Sequence, residues 1–121
     1  MERVFINHTN HSSSDWSVKQ RKEAEKFGKI KDYPFPVIDP EWDKERVLQL
    51  VQESCVKILA MRPVAVLCQG EFTYCHHLIN RLKEQGVLVL SACSKRETVE
   101  WDEDSVHIKK AKFSFVRFRE Y

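Results

Sequence analysis

A chain of 121 residues has room for one hydrophobic core and not for two independent ones, so a single domain over residues 1–121 is expected. Hydrophobic residues at 42% and charged residues at 31% are ordinary globular values, which argues against disorder and against a coiled coil. A formal net charge of +2 is too small for a long groove on duplex nucleic acid, yet it leaves a small anionic ligand possible.

No apolar run approaches the ~18 residues that span a bilayer, and Met1-Glu2-Arg3 leads into a strand pattern rather than a signal peptide. No membrane association and a cytoplasmic location are therefore expected. Cys55, Cys68, Cys75 and Cys93 form no C-x-x-C pair. They read as buried small hydrophobes, with no disulfide or metal framework and no cofactor expected.

In chain order, Arg3-Val4-Phe5-Ile6-Asn7 reads as a first buried strand, followed by a polar loop from His8 to Asp15. Ser17 and Gln20 have capping-box spacing at the start of a charged helix that runs to Phe27, with Gly28 as its stop. Lys29 to Tyr33 suits a short edge strand closed by Pro34-Phe35-Pro36. Asp39-Pro40 predicts a cap and first turn for a long helix carrying Val47, Val51, Cys55, Ile58 and Leu59 at helical spacing, ended by Pro63.

Pro63 to Cys68 is a short, wholly apolar run that stops in Gln69-Gly70-Glu71 and passes into a helical pattern. This predicts a buried parallel strand, a tight turn and a helix N-terminus, where free amides and the helix dipole would favour an anion. Cys75, Leu78, Ile79 and Leu82 mark that helix, with Gly86 as its C-terminal cap. Val87 to Ala92 is a further apolar strand ending in Ser94-Lys95-Arg96. The tail reads as two antiparallel strands, Thr98–Trp101 and Val106–Phe118, joined by a turn at residues 102–105, with Phe113 and Phe115 on one face and Val116 and Phe118 on the other.

This order predicts a three-layer Rossmann-like α/β domain, with a mainly parallel sheet and a C-terminal antiparallel β hairpin. Ligands in such sheets bind beyond strand C-termini where the strand order reverses. In the order 2-1-3-4 the reversal falls between the first and third strands, which brings His8, Thr9, Asn10, His11 and Ser12 beside Gln69, Gly70, Glu71 and Thr73. Lys95 and Arg96 lie one strand further along. Gly70 would permit a close ligand approach, and the imidazoles of His8 and His11 could transfer protons near neutral pH. Neither G-x-x-x-x-G-K-[ST] nor G-x-G-x-x-G is present, so the usual warrants for a nucleotide loop are missing.

The segment Phe5-Ile6-Asn7-His8-Thr9-Asn10-His11, the Gln69-Gly70-Glu71-Phe72-Thr73 turn and this layout resemble the compact CRISPR-associated Rossmann-fold (CARF-like) ring-nuclease-type proteins of type III systems. The resemblance implies a homodimer that binds cyclic tetra- or hexa-adenylate and cleaves it without metal, by attack of a ribose 2′-hydroxyl on the adjacent phosphodiester. It carries His8 and His11 over as catalytic candidates. Thr9, Asn10, Ser12, Gln69, Gly70, Glu71, Thr73, Lys95 and Arg96 are the corresponding ligand contacts. Two alternatives stand beside it: a protein that sequesters the messenger uncut, and a small nucleotide-dependent hydrolase or transferase.

Overall fold

The structure, a computed structural model, describes residues 2–121; Met1, at the head of the expected lead-in to the first strand, lies outside them. The elements run β1 (Val4–His8), α1 (Val18–Glu25), β2 (Lys29–Asp32), α2 (Lys44–Ala60), β3 (Ala65–Cys68), α3 (Phe72–Glu84), β4 (Leu88–Glu103) and β5 (Val106–Glu120). A 3₁₀ turn, Ser13–Asp15, precedes α1. One five-stranded sheet has the order β2-β1-β3-β4-β5, parallel from β2 through β4 and antiparallel between β4 and β5. The expected α/β class, the mostly parallel sheet and the C-terminal antiparallel pair are all present.

Alternation along β1 builds the layers. Val4 and Ile6 point into one core with Val51, Ile58, Leu78 and Leu82 of α2 and α3, while Phe5 points into the other with Ala24 of α1. A strand covered on both faces must be apolar throughout, and every residue of β1 and β3 is buried. Each fully buried Phe or Ile contributes about 1.5–3 kcal/mol relative to exposure.

Local chemistry sets the helix boundaries. Ser17 caps α1 by accepting the Gln20 amide at 3.2 Å, as its spacing predicts. The long helix α2 starts four residues later than the expected Asp39 cap. Asp43 accepts the Arg46 amide at 2.9 Å, whereas Asp39 closes a separate turn by accepting the Glu41 amide at 2.9 Å. Gly86 takes a positive φ of 78°, and the Val87 amide donates back to the Leu82 carbonyl at 3.0 Å, so α3 ends in the left-handed turn that glycine favours.

Two expectations about the tail are corrected. Ser94-Lys95-Arg96 is not a loop at a strand end: β4 runs on without a break, and with β5 forms a two-stranded ribbon well beyond the sheet. Solvent on both faces of a ribbon removes the apolar alternation by which strands are recognised. The register also slips at Cys93/Ser94, where Cys93 faces Arg117 but Ser94 faces Phe115, leaving Val116 as the extra residue of a bulge. Phe118 therefore joins Phe115, with ring centroids 4.9 Å apart, instead of facing the opposite way.

Gly28 is needed for space rather than as a helix stop, because a Cβ there would lie 2.5 Å from the Arg3 carbonyl oxygen. Gly28→Ala should force α1 and β2 away from β1 at a cost of about 1–3 kcal/mol. The measurement is a lower urea midpoint at unchanged m-value.

Candidate functional site

The strand order reverses between β1 and β3, and their C-terminal ends open into a cleft of about 480 Å³. Thr9, Asn10 and His11 form one wall, Gln69 and Gly70 a second, and Trp16, Phe113 and Phe115 supply aromatic surface. These segments, distant in the chain, meet because β1 and β3 pair directly, with His8 opposite Cys68.

The first wall is held by a polar network around Asn7 and Asp32. Asn7 Nδ2 donates to the Asp32 carboxylate at 2.9 Å and to the His11 carbonyl at 2.8 Å. Thr9 Oγ1 donates to Asn7 Oδ1 at 2.8 Å, and the Ser13 amide and Ser12 hydroxyl both donate to Asp32 at 3.3 Å. Partial burial works to raise the Asp32 pKa, but the hydrogen bonds from Asn7, Ser13 and Ser12 together outweigh it, so the carboxyl sits below its usual range. Ser12 thereby turns from the cleft towards a neighbouring depression that it lines with Asn7 and Asp32.

His8 is fully buried, at 0% exposure, between β1, the end of β2 and α3, on the side of the sheet that carries α2 and α3 and outside the cleft lining. Its Nδ1–H donates to the Tyr33 carbonyl at 2.7 Å, which leaves Nε2 to accept from the Tyr74 hydroxyl, also at 2.7 Å. The ring stacks on Tyr33 with centroids 4.9 Å apart. Burial lowers its pKa, and the Tyr33 carbonyl offsets this only in part. With no exposed ring atom and both nitrogens engaged, His8 is a structural strut instead of a group that reaches a ligand.

The turn after β3 also departs from its expected use. Glu71 is the cap of α3, its carboxylate accepting the Tyr74 amide at 2.7 Å, so this side chain already occupies the helix N-terminus where an anion was expected. The space over Gly70 belongs to Phe35, since a Cβ on residue 70 would lie 2.3 Å from that ring. Gln69 ties β3 to β4 by accepting the Ala92 amide at 2.8 Å, and the Tyr121 hydroxyl donates to the Cys68 carbonyl at 2.8 Å. Thr73 is exposed on the first turn of α3, away from the cleft wall.

Of the expected site residues, Thr9, Asn10, His11, Gln69 and Gly70 come together on the cleft, while Lys95 and Arg96 stand outside it on the ribbon. The sequence reading missed Asn7 and Asp32, which organise the wall, and the three aromatics. Trp16 had a local signal, an aromatic residue immediately before a serine cap. Asp32 had none, because its partners lie 19 to 25 residues away.

The strand order and its cleft define a Rossmann-like α/β domain with a ligand-sized opening at the switch point. The chain belongs to the uncharacterized protein MJ1673 family, whose profile matches residues 3–119. No curated protein and no solved structure matches it.

Two predictions test this geometry. Asp32→Ala should loosen the wall, speeding hydrogen exchange at the Ser13 and His11 amides by about tenfold while most of the core stays protected. For His8, the unfolded chain takes a proton near pH ~6.5 that the folded core resists. Its contribution to stability is therefore complete above that value and is lost as pH falls towards the lower folded pKa. Urea midpoints from pH 8 to 5 should fall more steeply for the wild type than for His8→Gln; equal slopes would contradict the buried neutral imidazole.

Proposed function

We propose that this protein binds a cyclic oligoadenylate across a two-fold homodimer and cleaves it as a ring nuclease. The observation that carries the reading is the cleft at the β1/β3 reversal, which sets hydrogen-bonding side chains against aromatic surface. Bases stack on aromatic rings, while Thr9, Asn10 and the Gln69 amide suit the edges of a base and the hydroxyls of a ribose. A volume of about 480 Å³ suits one nucleotide rather than a ring of four or six. Two symmetry-related clefts match a cyclic ligand made of repeated units.

In the proposed reaction the ribose 2′-oxygen forms a bond to the adjacent phosphorus and the bond from phosphorus to the 5′-oxygen breaks. The 2′-hydroxyl proton leaves to a base, and the 5′-oxygen takes up a proton. The products are a 2′,3′-cyclic phosphate and a 5′-hydroxyl on a linear chain, so atoms balance without water or cofactor. His11, exposed on the cleft wall, is the imidazole placed to move a proton.

One observation favours a second reading, sequestration without cleavage. Among the described residues, no lysine or arginine lines the cleft, and cleavage needs positive charge near the phosphate more than binding does. Incubation with cyclic tetra- and hexa-adenylate followed by product chromatography separates the two. Linear products ending in a cyclic phosphate are expected, with His11→Ala lowering the single-turnover rate at least about 100-fold and affinity much less. Tight binding of intact ring would establish sequestration. Binding of mononucleotides without either ring would point to a small nucleotide-dependent enzyme.

A further inference from the structure

We propose that Phe113 and Arg96, paired at the root of the β4–β5 ribbon, form a second nucleotide subsite. It would take the base and phosphate next to the nucleotide held in the cleft, so that the protein reads a single-stranded oligoadenylate segment rather than one nucleotide. The inference rests on the nucleotide-binding reading of the cleft.

Arg96 and Phe113 are direct cross-strand partners, and directly opposed residues of an antiparallel pair share a face. The next pair towards the sheet on that face is Ser94 with Phe115, and both of these line the cleft, as does Phe113 itself. Phe113 and Phe115 are two residues apart on one strand, about 7 Å, so Phe113 stands one base-sized step outward from the cleft interior. Phe115 is buried at the back, whereas Phe113 is 67% exposed at the lip. A lone exposed phenylalanine needs no explanation. One that borders a cleft beside a free guanidinium offers a stacking surface and a phosphate contact together.

Charge on this face singles out Arg96. Further along the ribbon, Lys109 pairs with Glu100 at 3.9 Å, and His107 approaches Glu100 at 3.5 Å and Asp102 at 3.0 Å. Those groups compensate one another. Among the described residues, Arg96 has no carboxylate within ion-pair distance, so it is the cation left for a phosphate that the cleft wall does not itself supply.

Calorimetric titration with adenosine 5′-monophosphate and with linear tetra-adenylate tests the subsite. The wild type should bind tetra-adenylate at least about tenfold more tightly than the monophosphate. Phe113→Ala should reduce that ratio about tenfold and Phe113→Trp should preserve it. Arg96→Ala should weaken tetra-adenylate binding and flatten its salt dependence by about 0.7 in log–log slope, the share of one phosphate. A wild-type ratio near one, or a ratio unchanged in a folded Phe113→Ala protein, would overturn the subsite and leave the cleft reading standing. If neither probe binds the wild type, the cleft reading falls and the subsite falls with it.

Discussion

The imidazole of His8, pinned between the Tyr33 carbonyl and the Tyr74 hydroxyl, is the interaction that ties three chain-distant segments together at the C-terminal edge of the sheet. It joins the exit of β2, the last residue of β1 and the first turns of α3 at one buried point. A polar group in a core is tolerated only when satisfied, and here both ring nitrogens are. Phe35 packs against the same ring and fills the space over Gly70, so the crossing loop after β2 and the turn after β3 are shaped together.

The cleft itself has two walls of different physical character. The Thr9 to Ser13 wall is a hydrogen-bonded network with a carboxylate at its centre, and its shape follows the ionised state of Asp32. The aromatic side depends on packing, since Phe5, Trp16, Phe115 and Phe118 form one cluster of ring contacts joining β1, β5 and the start of α1. That cluster also anchors the ribbon. An isolated two-stranded hairpin is marginal in water, and its exposed ion pairs add little, so the ribbon's order comes from its root.

The ends of strands carry the site because a parallel sheet leaves them no alternative role. Along their length β1 and β3 are sealed by helices on both faces, and polar residues first become possible where the strands leave the sheet. The separation between what packs and what meets solvent therefore falls within a few residues: His8 is buried, Thr9 is half-buried and Asn10 is exposed. One residue of register decides whether an imidazole is a structural strut or a group that a ligand can touch.

Much of the architecture was legible in the residues alone. Apolar runs, capping spacings at Ser17 and Gly86, and the alternation of strand and helix determined the elements, and the right-handed crossover rule made β2-β1-β3-β4 the favoured order. The same signals placed Thr9, Asn10, His11, Gln69 and Gly70 at one edge. Local patterns could not say which histidine of the first loop is buried, because that depends on Tyr33 and Tyr74, 25 and 66 residues away. They could not reveal the role of Asp32, the Phe35 ring over Gly70, or the bulge that turns Phe118 towards Phe115. Nor could they join the strand at Thr98–Trp101 to the one before it through Ser94 to Glu97, since a run of polar residues wet on both faces carries no apolar signal. Sequence determined what each segment could become, and tertiary contact decided which side chains were used up in holding the fold and which remained for a ligand.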